Sequence, residues 1–236
     1  MTKKGSADSI FAEILKNLPA DKKAELANDL NRRCRDLDFD ADTMTASSVL
    51  LPKVVGAASL AKFRPIACLK TWRKLLGYLW LLTLPIIRMA TYQTAFVRGA
   101  QAIMGAHSLL LTAEKAKEWG QDLFAAQIDL KKAFDHVNRD KALQALKAKG
   151  VSSHHLAWMS KMWQEHSLVM KMGGYETQRF KTTRGLPQGA PESPLIFTIL
   201  IDTALQNLEE NGTELAWGSG WTSGGCRVSR MQTTSC

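Results

Sequence analysis

One acidic side chain and one glycine- and proline-rich loop are where this chain places its chemistry. Asp129 ends the apolar run Leu123–Leu130. A carboxylate in that place is paired or bound to a metal when buried, and is a cap or turn former when not. Asp135 follows after Lys131, Lys132, Ala133 and Phe134. The loop runs Arg184-Gly185-Leu186-Pro187-Gln188-Gly189-Ala190-Pro191-Glu192-Ser193-Pro194, and an apolar run follows it. Gly185 and Gly189 permit close backbone approach, and the prolines restrict the loop, so it suits holding its backbone against a flat ligand. Pro194 and Ser193 also fit a plain helix N-terminus. Upstream, Arg64 offers a planar fork suited to phosphate, with Lys53 and Lys62 nearby. Alone, Arg64 also fits a surface position near a strand.

The elements that must position these groups follow from periodicity. Residues 6–37 read as one or two helices, broken at Pro19. The run Asn31-Arg32-Arg33-Cys34-Arg35 reads as a solvated helix face or a phosphate contact. Residues 38–45 read as an acidic linker, 49–55 as a strand and 64–69 as an extended piece. Helices are expected over 72–91 and 100–119, and a buried strand over 123–130. Two further helices follow, 139–149 stopping at Gly150 and 153–165 capped by serine. Residues 168–172 and 175–182, joined by Gly173-Gly174, predict a hairpin. A last helix spans 194–210 and stops at Asn211-Gly212. This order predicts an α+β fold with helices packed on one antiparallel sheet.

The chain has 236 residues, 45% of them hydrophobic, which is enough for a core. Its net charge of +9 fits a polyanionic partner such as nucleic acid, or a merely basic globular protein. Cys34, Cys68, Cys226 and Cys236 lack the short spacing of a zinc site. The N-terminus has no signal-peptide pattern, so an intracellular protein is expected. The apolar run 75–87 is too short to cross a bilayer and contains Pro85, so no membrane association is expected.

Taken together, the motifs resemble the reverse transcriptase domain of non-LTR (LINE-like) retrotransposons, related to that of group II introns. Gln127-Ile128-Asp129-Leu130-Lys131-Lys132-Ala133-Phe134-Asp135-His136-Val137 resembles the first polymerase carboxylate motif. The Arg184–Phe197 loop resembles the template- and nucleotide-positioning loop. Lys62-Phe63-Arg64-Pro65-Ile66-Ala67 resembles a fingers motif. Tyr92–Gly99 resembles a second one, with Ala95 where the family usually has glycine. The similarity spans residues 51–208.

The resemblance implies nucleotidyl transfer with two Mg2+ ions, an RNA template, a DNA primer and a dNTP. It makes Asp129 the catalytic carboxylate and metal ligand, with the Leu130 carbonyl as a further ligand. Arg64, with Lys62 and Lys53, would face the triphosphate. Phe134 would lie below the sugar and exclude a 2′-hydroxyl, or be an ordinary core aromatic. Gln188 and Gly189 would lie near the base and sugar. Asp135 reads as a structural cap. Residues 1–45 would then be an N-terminal helical segment and linker, 46–120 the fingers, 121–212 a partial palm and 213–236 an unstructured tail. The architecture expected is a partial right hand with no thumb.

The family also needs a second motif with paired aspartates. No Asp follows Asp202 and no Glu follows Glu214. Back-translation of Arg230–Cys236 permits Tyr-Ala-Asp-Asp-Val-Leu one base upstream; the codons of Met231 and Gln232 force the alanine. The expectation is a reading frame shifted after about Trp217 and a C-terminally truncated domain without polymerase activity. The alternatives are a non-catalytic RNA- or DNA-binding fragment and a product without function.

Overall fold

The computed structural model describes residues 12–56, 59, 62–97, 99–125, 127–172 and 174–210. The expected tail, the helix residues 6–11, Gly173 and Arg98 lie outside the described residues. So does the Arg64 side chain.

Two compact units divide the chain. The first takes the described residues up to Ile87 together with Lys131–Phe197. The second takes Arg88–Leu130 and the described residues from Thr198 on.

The first unit is built on a five-stranded sheet of β1 (Thr45–Pro52), β2 (Phe63–Cys68), β3 (Ser167–Met172), β4 (Tyr175–Glu176) and β5 (Phe180–Lys181). Its order is β2-β1-β3-β4, with β5 also on β3. β1 pairs antiparallel with β2, and β4 and β5 pair antiparallel with β3. The central pair, β1 with β3, is parallel, in the register Thr45↔Ser167 to Val49↔Lys171. The sheet is therefore mixed, which corrects the expected antiparallel sheet. A parallel neighbour needs a long crossover, and the stretch of chain between β1 and β3 supplies it. The buried hydroxyls of Thr45 and Ser167, 2.9 Å apart, close that pairing. The α+β content stands.

Residues 38–45 are not a linker. Phe39 and Met44 are buried, and Thr45 opens β1. Asp40 caps the turn through the Thr43 amide and hydroxyl, both at 2.7 Å. These bonds hold its carboxyl below the ordinary range, against its own partial burial.

Three of the described helices pack in the first unit for legible reasons. α3 (Thr71–Thr83) buries Arg73, Leu76, Gly77 and Trp80, one helical face. It ends well short of residue 91. α5 (Arg139–Ala148) starts where Asn138 Oδ1 accepts the Lys141 amide at 3.0 Å. It stops where Gly150 turns left-handed at φ 83° and Val151 bonds back to Leu146. α6 (Ser153–Glu165) is capped by Ser152 and buries Trp158, Met159, Met162 and Trp163. Trp80 Nε1 donates to the His155 carbonyl at 3.0 Å, pinning α3 to α6. α2 (Ala20–Asp36), preceded by the short α1 (Ala12–Lys16), buries no residue. Its Arg32 and Arg33 pair with Asp29 at 2.9 and 2.8 Å. Two of the three arginines of the basic run are therefore paired along this solvated helix.

The second unit holds α4 (Ala102–Glu118) and the body of α7 (Ser193–Glu210), whose first turn counts with the first unit. Asp202 Oδ1 accepts the Ala90 amide at 3.0 Å, and Thr198 Oγ1 donates to the Ala95 carbonyl at 3.4 Å. The described residues of 121–130 form no strand. Phe124 is 92% exposed and Ile128 83%. An apolar run becomes a strand only where a neighbour takes its N–H and C=O groups, and here no ladder forms. Asp129 is thus exposed rather than held at the end of a buried strand.

None of the described helices is long and apolar enough to cross a membrane.

Candidate nucleotide-positioning site

The glutamine loop is moored on three sides within the first unit. On one side lies the 3₁₀ turn Phe134–His136. There the Leu186 amide donates to the Phe134 carbonyl and the Gly185 amide to the Val137 carbonyl, both at 2.8 Å. Gly185 stands at φ 84°, and a Cβ there would come within 2.8 Å of the Asp135 carbonyl oxygen. On the second side lies β2. Gly189 has φ 102°, and a Cβ would reach 3.0 Å from the Ala67 carbonyl oxygen. Both glycines are thus required by left-handed backbone and by contact. Beneath the loop, Ala46, Leu69 and Ala190 form a buried apolar cluster. On the third side, α3 meets Glu192 through Arg73. Inside the loop, Ser193 Oγ donates to the Pro187 carbonyl at 2.9 Å and the Ala190 amide closes the turn on Pro187.

This frame sets the Gln188 side chain. Its Nε2 donates to Asp135 Oδ1 at 2.9 Å. That leaves the Gln188 carbonyl oxygen free to accept from a ligand. Asp135 is therefore a side-chain partner of the glutamine, not merely a cap. Sequence reading missed it because a carboxylate at a turn has an ordinary local explanation.

Phe134 is half-buried and stacks on Phe197, with ring centroids 4.7 Å apart and planes at 24°. The ring is held in a fixed place, as both of its expected roles require.

A cavity of about 200 Å3 lies between the loop and the sheet, lined by Ser48, Ala67, Asp135, Arg139, His166 and Gln188 among others. Arg139 was not singled out by the sequence. Its Nε donates to the Gly185 carbonyl at 3.0 Å, and its Nη atoms reach the Thr182 carbonyl and hydroxyl at 2.5 and 2.7 Å. Its guanidinium also sits 5.8 Å from the Trp163 ring centre. Burial pushes its pKa down to about 10. His166 is buried, with Nδ1 3.2 Å from the Met44 carbonyl. Burial, with the charges of Arg73 and Arg139, pushes its pKa down to about 4, so it is neutral near pH 7.

Arg64 lies on β2 opposite Leu51. Lys53 and Lys62 are brought together, the Lys53 amide donating to the Lys62 carbonyl at 2.8 Å, and both are exposed. Asp129 and Leu130 belong to the second unit, and both are exposed. Among the described residues, no three His, Cys, Asp or Glu side chains converge where a metal ion could sit. These donors do not fit a two-ion Mg2+ centre, which needs several carboxylate oxygens around each ion.

Comparison with known proteins agrees with the family that the motifs resemble. Over 179 residues the chain is 28% identical to the Retrovirus-related Pol polyprotein from type-1 retrotransposable element R2 of Nasonia vitripennis. Over 164 residues it is 24% identical to the polyprotein from type-2 retrotransposable element R2DM of Drosophila melanogaster. These matches cover 71% and 69% of this chain and 16% of each relative, so the chain spans about a sixth of their length. Residues 52–217 match the family described as reverse transcriptase (RNA-dependent DNA polymerase), and the chain belongs to that family.

Proposed function

We propose that the chain is the fingers and part of the palm of a retroelement reverse transcriptase, related to those of R2 elements. In this reading it holds a dNTP against an RNA template and a DNA primer. The observation that carries it is the anchored glutamine loop. Gly185, Gly189 and the Gln188–Asp135 bond fix one amide oxygen and a bare stretch of backbone at a defined place. Such preorganisation suits a planar base and its sugar better than a mobile surface loop would. Arg64, Lys53 and Lys62, from the β1–β2 hairpin, would attract the triphosphate. The stacked Phe134 would stand under the sugar and disfavour a 2′-hydroxyl.

The same reading holds that these 236 residues bind without polymerising. Asp129 is the one family carboxylate that the motifs assign, and the described acidic residues gather no metal site. Primer extension on poly(rA)·oligo(dT) with Mg2+ or Mn2+ tests this; no incorporation is expected, and any incorporation overturns it. Filter binding of the same hybrid tests the other half. Affinity should fall steeply with salt, because phosphate contacts release counterions; a flat response would remove the nucleic-acid reading. The shifted frame in the tail belongs to the same proposal. Sequencing the coding DNA decides it: the codons of Gln232 and Thr233 must both end in G.

A further inference from the structure

α3 and the glutamine loop are joined by two charges that water does not reach. Arg73 and Glu192 are each 0% exposed. Arg73 Nη2 donates to Glu192 Oε1. Arg73 Nε and Nη1 and Glu192 Oε2 have no hydrogen-bond partner among the described residues. Gly77 lies one turn along α3 from Arg73, on the same buried face. A Cβ at Gly77 would collide with Glu192 Oε2, lie 2.8 Å from Pro191 Cγ and lie 3.2 Å from Arg73 Nη1. The missing side chain of Gly77 is the space the carboxylate occupies.

A buried pair with three of its five nitrogen and oxygen atoms unpartnered is a poor source of stability. Desolvating two ions costs several kcal/mol each, and well-packed apolar side chains often do as well or better. What the pair does supply is direction. An apolar contact tolerates sliding, whereas a guanidinium and a carboxylate in a dry site fix one distance and one orientation. Glu192 is the residue just after Pro191, on the stretch between Gln188 and α7. Fixing it fixes the end of the turn that carries Gln188 and Gly189.

We infer that Arg73, Gly77 and Glu192 are positioning residues for the glutamine loop. They hold it from α3 so that Gln188 and the Gly189 backbone keep the place needed for an incoming nucleotide. The inference rests on the proposed nucleotide role of the loop, but the loop's order can be measured without it.

The test uses the full chain with the double variant Arg73→Met/Glu192→Leu, which removes both charges and keeps the volume. Three quantities are read: urea unfolding, amide hydrogen exchange of Gly185–Ser193 against that of α5 and α6, and the affinity of dTTP for the complex with poly(rA)·oligo(dT). The double variant should unfold at nearly the wild-type urea concentration. Its loop amides should exchange about tenfold faster while α5 and α6 do not change. Its dTTP affinity should fall about fivefold with hybrid affinity unchanged. Wild-type exchange in the loop overturns the inference, and so does a rise shared equally with α5 and α6, which would mark a general structural role. Should the double variant not fold, Glu192→Gln, which keeps the shape, decides by the same exchange comparison. If the wild-type chain binds no dTTP, the nucleotide reading fails while the exchange result still decides whether α3 orders the loop.

Discussion

Gln188 Nε2 donates to Asp135 Oδ1 at 2.9 Å, linking the glycine-rich loop to the turn near the end of the Asp129 motif. The two residues are 53 positions apart, and their bond decides which end of the glutamine amide faces outward. Asp135→Ala should lower dTTP affinity about five- to tenfold, the effect of one hydrogen bond to a charged group. Asp135→Asn can still accept through its carbonyl oxygen and should stay near wild type. Equal affinities for wild type, Ala and Asn in an anisotropy titration would mean that the pair does not orient Gln188.

Gly185 and Gly174 separate two costs of replacing a left-handed glycine. Both have positive φ, 84° and 87°. A Cβ at Gly174 meets nothing within 4 Å, whereas at Gly185 it meets the Asp135 carbonyl. Gly174→Ala should cost about 1 kcal/mol from backbone strain alone. Gly185→Ala should cost about 2 kcal/mol more, because the neighbour is backbone and cannot swing away. Urea unfolding of the two variants gives the comparison, and equal costs would contradict the close approach.

Gly77 reverses the usual helix rule. An alanine in a helix interior is ordinarily better than glycine by about 1 kcal/mol. Here the added methyl enters the space of Glu192 and Pro191. Gly77→Ala should therefore destabilise by about 1–3 kcal/mol, the range for overpacking a dense core. A variant that melts higher than wild type would show that the space is not filled as described.

Arg139 binds the far side of the loop through a forked set of bonds to Gly185, Thr182 and the Trp163 carbonyl. Arg139→Lys keeps the charge but loses the planar fork. It should lower stability by about 2 kcal/mol, seen as a lower urea midpoint at unchanged slope. A lysine variant as stable as wild type would show that charge, not geometry, is what this position needs.

His166 should make the fold acid-sensitive. Its folded pKa is depressed to about 4 from 6.5, so the unfolded chain binds more protons between those values. The corresponding stability is fully present above about pH 6.5 and is lost as pH falls towards 4, on the order of 3 kcal/mol in all. His166→Gln should flatten this part of the curve. Urea midpoints at about pH 7 and about pH 4.5 measure it, and the same loss in both proteins would assign the sensitivity elsewhere.

The sequence by itself determined what local physics can encode. Asn138 and Ser152 as caps, Gly150 as a stop, and the periodic apolar faces of α5 and α6 specify those helices without reference to the rest of the chain. The crowding of glycine and proline around Gln188 marked the loop, and motif order marked the family. Tertiary structure alone decided who pairs with whom. Alternating side chains assign a strand its faces but not its neighbour, so the parallel union of β1 and β3 was not legible. An apolar run carries no information on whether a ladder will accept it, so residues 123–130 read as a strand while the described residues among them form none. Arg73, in the first turn of α3, and Glu192, in the loop, carry no local signal that pairs them. Their burial as a pair, like the meeting of Asp135 with Gln188, exists only once α3, the loop and the turn are packed together, because desolvation and distance are properties of the folded chain.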